Sequence, residues 1–383
     1  MEARELSIDT ERLVNDLIKM RLYYEKSPRK DDIKNDYASF ALLNQILGEL
    51  EGVMVRENGI FYDIEKVQKI LDDRALKSCD EFCKFLEKDL YEIYVILYNF
   101  ASKIGEFGMV IAPYFSKLKK YSYKDFKDII LDYYSSVGEK EYKIAKKYFN
   151  EKRIHLNYPI NDGAVGYYIS TFFNKSGYII LKPDKLNSYT MLALVHELGH
   201  AIDYETLYFS QGKKRDMLND YLIEVPSIFF ELGLSEFLKK NKIDEDGSYL
   251  LKQDTIVKGN DTFFGIDEFM NERYTYGDVG VDINGNSLLH NGEIVNVKDD
   301  IVYGIATYLA LYLHSMNGNY DKEFMKRFYS FLATRRECSL KDSLDILGIK
   351  YEDFVSADMV LPYVEENNRV LKKKYNLYGE VDE

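Results

Sequence analysis

The chain has 383 residues, enough for one large domain or two moderate ones, and 30 % of them are charged, as in an ordinary water-soluble protein. Its net charge of −13 argues against a nucleic-acid partner, which needs a basic face, and leaves at most a mild bias toward cationic ligands. The charged opening Met1-Glu2-Ala3-Arg4 has no apolar signal segment, and no apolar run reaches the roughly 18–20 residues of a membrane helix, so a cytoplasmic protein without a membrane partner is expected.

Residues 1–150 read as helix after helix. Apolar residues recur at helical spacing after Thr10, and similar patterns follow at 37–52, 64–76, 79–106, 123–135 and 139–150. Cys79 and Cys83 share one helix face; with Cys338 they make three cysteines, which supports neither a disulfide framework nor a cysteine zinc site. Ser122 and Gly138 punctuate the last two helices. Between 153 and 185 the texture changes. Turn signals at Tyr158-Pro159, Asp162-Gly163, Gly166 and Ser176-Gly177 bracket segments rich in aromatic and β-branched residues, Gly166–Phe173 and Tyr178–Lys182. A small sheet is expected there.

The stretch that follows carries the chemistry. Thr190-Met-Leu-Ala-Leu-Val-His196-Glu197-Leu-Gly-His200-Ala-Ile-Asp203 is apolar up to two histidines four residues apart. On a helix, i and i+4 share one face, so both imidazoles can converge on one ion, and zinc accepts such ligands in tetrahedral geometry. Glu197 lies beside them, in reach of a water at the ion as a general base. The five-letter pattern alone recurs by accident; the apolar lead-in counts against an ordinary surface helix, because it implies burial and buried polar groups need partners. A third ligand must come from elsewhere. Asp203 and Glu205 sit too close on the same helix, and Asp203 is read as an acceptor for a histidine ring N–H. Glu224, Ser227 and Glu231, at i, i+3 and i+7, form a polar stripe on an otherwise apolar helix. A carboxylate pair facing the histidine helix calls for a cation, which makes Glu224 the third ligand and Glu231 its supporting acceptor.

The pairing of His196-Glu-Leu-Gly-His-Ala with Glu224-Val-Pro-Ser-x-x-x-Glu231 resembles the thimet oligopeptidase and oligoendopeptidase F family of zinc peptidases. The resemblance runs over roughly 120–360. It implies a mainly α-helical, zincin-type fold with a small β-sheet beside the active-site helix and a central substrate channel. It also implies one zinc ion per chain, and short, unfolded peptides as substrates cut at internal bonds. Residues 1–150 would form a helical lid or channel wall and 151–383 the catalytic region. By the same resemblance, Gly163 and Ala164 occupy the place of a cleft-lining Gly-Ala pair. Tyr178–Leu181, with Tyr178 and Ile180, would be the strand offering its backbone to an extended peptide.

Further on, 236–300 is polar and glycine-rich and is expected to form loops around short helices. The apolar helix Ile301-Val-Tyr303-Gly-Ile-Ala-Thr307 resembles the family's tyrosine-rich helix, which makes Tyr303 the catalytic donor to the oxyanion. Two family tyrosines are replaced by Ile301 and Ile305, and a family histidine by Val295. A zinc-containing peptide-binding or regulatory protein without hydrolysis, and a processing enzyme dedicated to one partner peptide, are the alternative functions. Residues 320–383 read as further helices.

Overall fold

The computed structural model describes residues 55–57, 60–62, 90–104, 118–156, 165–169, 176–183, 185–211, 221–275, 293–316, 320–335 and 338–375. The patterns at 1–52 and 64–76, together with Cys79 and Cys83, lie outside them. Two short strands, β1 (Val55–Glu57) and β2 (Ile60–Tyr62), pair antiparallel. Helix α1 (Leu90–Ile104) comes next, then α2 (Tyr123–Val137) and α3 (Glu139–Asn150). Ser122 starts α2 because its side chain accepts from the Asp125 amide and satisfies one of the open N–H groups at the helix start.

A three-stranded sheet follows, β3 (Ile154–Leu156), β4 (Gly166–Ile169) and β5 (Tyr178–Leu181). Its order is β3-β5-β4, with β5 parallel to β3 and antiparallel to β4. The chain then enters α4 (Ser188–Gln211), which carries the histidines, and α5 (Val225–Lys240), which packs along it. Helix α5 is apolar nearly all round and buried over most of its length, as befits a central helix. Tyrosines of α2 tie both helices together. The Tyr134 hydroxyl donates to the Val195 carbonyl in α4, and Tyr133 donates to the Phe230 carbonyl in α5.

Helix α6 (Glu245–Thr275) packs on α5, and α7 (Glu293–Met316) packs on both. Over 245–275 and 293–300 this corrects the expectation of loops, while 276–292 lie outside the described residues. The polar residues of α6 hid its periodicity because several are buried with partners: Lys252 with Glu236, Gln253 with Asn367, Thr255 with Glu231. Four shorter elements close the fold: α8 (Lys322–Thr334) against α4, α9 (Leu340–Leu347), α10 (Tyr351–Ser356), and α11 (Leu361–Tyr375) against α6. One hydrophobic core runs through these helices, and the mainly helical class with a small sheet before the histidine helix is the class expected. No described helix is long and apolar enough to cross a membrane.

His314, buried in α7, donates from Nε2 to the Phe229 carbonyl in α5 at 2.8 Å. Burial lowers its pKa to about 4, with the Phe229 carbonyl opposing only in part. The unfolded chain therefore takes up this proton near pH 6.5 and the folded chain only near 4. Stability present above that window is lost as pH falls through it, by up to about 3 kcal/mol. Urea denaturation across the window is expected to show that loss, and His314→Gln, which keeps a donor but cannot titrate, to flatten it.

Candidate metal centre

Helix α4 is buried on several sides by Met191, Leu192, Leu194, Val195 and Leu198, so its polar triplet is carried into the interior. Glu224 immediately precedes α5, and Glu231 lies about two turns further on. What brings them to the histidines is Gly199. A Cβ there would stand 2.5 Å from the Ser227 Cα and 2.9 Å from its backbone nitrogen, so only glycine lets the two helix backbones come this close.

The resulting geometry is compact. One carboxylate oxygen of Glu224, Oε2, lies 3.1 Å from His196 Nε2 and 3.3 Å from His200 Nε2. The three ligand atoms all fall within 4.8 Å of one another. That Oε2 is buried and has no partner in hydrogen-bond geometry, so the two nitrogens and the oxygen share a focus without satisfying one another. A tetrahedral ion bonded at about 2.0–2.1 Å sets its ligands about 3.3 Å apart. The imidazole–carboxylate spacings match that figure, and two imidazoles with one carboxylate form a donor set that zinc accepts.

Around the ligands the supports are specific. His196 Nδ1 lies 2.6 Å from Glu231 Oε1, and Glu231 Oε2 accepts from the Thr255 hydroxyl at 3.0 Å. With its proton on Nδ1, His196 turns the Nε2 lone pair to the focus. The ring of His200 stacks on Tyr168 of β4, whose hydroxyl meets that of Tyr148 at 3.1 Å. Burial opposes charge on His196, but the carboxylates of Glu224 and Glu231 outweigh it and raise its pKa well above the usual value. Burial likewise opposes charge on His200, and Glu224 leads the groups that raise its pKa. Burial would raise the Glu224 pKa as well, but His200 and His196 hold it far below the usual carboxylate range. These carboxylates demand positive charge at the focus.

Glu197 is 5 % exposed, and burial is the main cause that raises its pKa, against the two histidines. It opens, with His196, onto a cleft of about 410 Å³. One wall is α4 and the start of β4, and the other is α6 and α7 with Lys258, Tyr303 and Thr307. Gly166 stands beside the acid: a Cβ there would lie 3.1 Å from Glu197 Oε1. Tyr303, 36 % exposed, thus shares the cleft with Glu197, whereas Ile301 and Ile305 face the core.

Three sequence expectations need correction or fall outside. Asp203 supports no histidine. It is fully buried in a two-pronged ion pair with Arg335, Nη1 to Oδ1 and Nη2 to Oδ2 at 2.8 Å each, which ties α4 to the end of α8. Tyr178 and Ile180 are fully buried in the central strand, and β3 and β5 on one side and β4 and β5 on the other already pair through their backbones. That strand has no edge left for a peptide, and β4 is the outer strand toward the cleft. Gly163 and Ala164 lie outside the described residues. Thr255 and Lys258, by contrast, carried no motif and were missed, and Gly166 was read only as a turn.

No family model matches the sequence, and no curated protein matches it either. Two solved structures resemble the fold. One is a "putative peptidase from Chlamydophila abortus", with a TM-score of 0.50 and 13 % identity over 93 % of this chain and 63 % of that one. The other is a "putative oligoendopeptidase F from Bacillus anthracis str. Ames", with a TM-score of 0.47 and 12 % identity over 81 % of this chain and 64 % of that one. The chain spans less than two-thirds of the length of either. The likeness to the first is one of fold, and the helical architecture agrees with it.

Gly199→Ala is expected to push α5 off α4 and weaken zinc binding about 10–100-fold, the range seen when supports around a metal are disturbed. Competition with a chromogenic chelator measures it. Binding is also expected to release protons and to weaken as pH falls, because the carboxylates raise the pKa values of His196 and His200 and protons compete for the same nitrogens.

Proposed function

We propose that this protein is a zinc-dependent oligopeptidase that hydrolyses internal bonds of short, unstructured peptides, with one ion per chain held by His196, His200 and Glu224. The observation that carries the proposal is the shared focus of those three side chains beside a buried Glu197 in an open cleft. A binding protein has no need of an acid at that position. Zinc at the focus supplies Lewis acidity toward a water and toward a substrate carbonyl.

The protein's own groups do the rest. Glu197 takes the proton of the attacking water and later hands it to the leaving amine. Burial suits it to both tasks, since a raised carboxyl pKa makes it a stronger base and a closer match to neutral pH. Tyr303 donates its hydroxyl hydrogen bond to the carbonyl oxygen as that oxygen gains charge. Gly166, at the start of the outer strand, lines the cleft, and its backbone is the group to which an extended peptide can pair. The cleft volume falls within the roughly 300–1,000 Å³ of small-ligand sites, which favours a short stretch of extended chain over a folded substrate.

Quenched fluorescent peptides incubated with the zinc-loaded protein test this directly. Turnover is expected from the parent, with a fall of at least about 10²-fold in Glu197→Gln although zinc is retained. Tyr303→Phe is expected to lower kcat by about 10²–10³ with little change in KM. Bound zinc without turnover of any peptide in a broad library would leave a non-hydrolytic peptide-binding protein.

A further inference from the structure

Among the described residues lining the cleft, Lys258 is the one lysine or arginine. It lies on α6, one turn beyond Thr255, the residue that holds Glu231 and through it His196. Its neighbour Gly259 explains how it reaches the cleft. A Cβ on Gly259 would stand 2.4 Å from Thr307 Cγ2, so α6 and α7 touch there, and Thr307 is one turn from Tyr303. Lys258 and Tyr303 therefore line the same cleft as His196 and Glu197.

The Lys258 ammonium is also held in place. Asp254 Oδ2 lies 2.7 Å from it, and the Tyr189 ring centroid 5.9 Å. An ordinary i,i+4 pair on a solvated helix face leaves both partners in water. Here the acid is 14 % exposed and the lysine 50 % exposed, so a sunken carboxylate presents an ammonium outward into the cleft. An ammonium has three donors, and one carboxylate does not exhaust them. A fixed ammonium set apart from the ligand focus offers a substrate carboxylate a docking point at a set distance from the bond at that focus.

We propose that Lys258, positioned by Asp254, is a specificity residue that docks a carboxylate of the peptide, either its C-terminal group or an Asp or Glu side chain, and so sets which bond lies at the focus. This deepens, and rests on, the peptidase function proposed above. A neutral or cationic group at that point of the substrate gains nothing from Lys258, so the enzyme selects peptides by the distance from a carboxylate to the bond it cuts.

The test uses the zinc-loaded 383-residue protein and matched peptide sets, each with an N-terminal fluorophore. One set has a free C-terminal carboxylate or an amide; a second, all amidated, carries Glu or Gln at successive positions. Products are separated by chromatography for kcat/KM, and binding to Glu197→Gln is read by fluorescence anisotropy. A charge-assisted hydrogen bond predicts at least about tenfold preference for the carboxylate member of one set. A response in the first set identifies the chain terminus, and one in the second an acidic side chain. Lys258→Gln is expected to bring the preference toward unity, Lys258→Arg to retain it, and Lys258→Glu to reverse it toward the amide or Gln member. Zinc content and circular dichroism establish that each variant is folded. Turnover without preference in either set, or a preference unchanged by Lys258→Gln and Lys258→Glu, overturns the assignment while leaving the peptidase intact. Absence of both turnover and binding for every peptide overturns the peptidase function and the assignment with it.

Discussion

Everything at the candidate site depends on two helix backbones meeting at Gly199 and Ser227. That contact sinks the carboxylates of Glu224 and Glu231 against the imidazoles of α4, in a place where water cannot stabilise them. Burying charge is costly unless it is compensated, and the compensation must sit where the ligand atoms converge. A divalent cation at that focus answers the demand at once, and the same burial gives Glu197 its raised pKa. The ligand focus and the raised pKa of Glu197 thus come from one packing contact.

The surrounding elements are arranged to keep that contact. Tyr133 and Tyr134 of α2 reach into both helices, and the Asp203–Arg335 pair anchors α4 from behind. Thr255 of α6 pins Glu231, and the apposition of Gly259 with Thr307 places α7 and Tyr303 across the cleft. The sheet contributes Tyr168 against His200 and Gly166 beside Glu197. Each wall of the cleft is therefore fixed by a residue that also supports the centre or its neighbour, which is how a site gains rigidity without a separate scaffold.

What the sequence revealed was local in origin. His196 and His200 were legible because helical periodicity alone places them on one face, and Glu224 with Glu231 because a polar stripe on an apolar helix must find partners. Their convergence needed only two consecutive helices. Asp203 was misread because its partner, Arg335, lies 132 residues away and carries no local signal. Tyr178 and Ile180 were misplaced for a similar reason: a strand's edges are decided by pairing, and β3 pairs with β5 in parallel, a partnership that no hairpin turn announces. Helix α6 was hidden by its own buried polar groups, whose partners on α5 and α11 replace the apolar stripe that pattern reading relies on. Lys258 went unseen with it.

The claim from which the rest follows is that α4 and α5 together hold one zinc ion. Anomalous diffraction at the zinc edge, from crystals grown with one equivalent of the metal, tests it most directly. The account requires a single strong peak bonded to Nε2 of His196, Nε2 of His200 and a carboxylate oxygen of Glu224. A peak on other residues, or none between these helices in a fully folded protein, would contradict it.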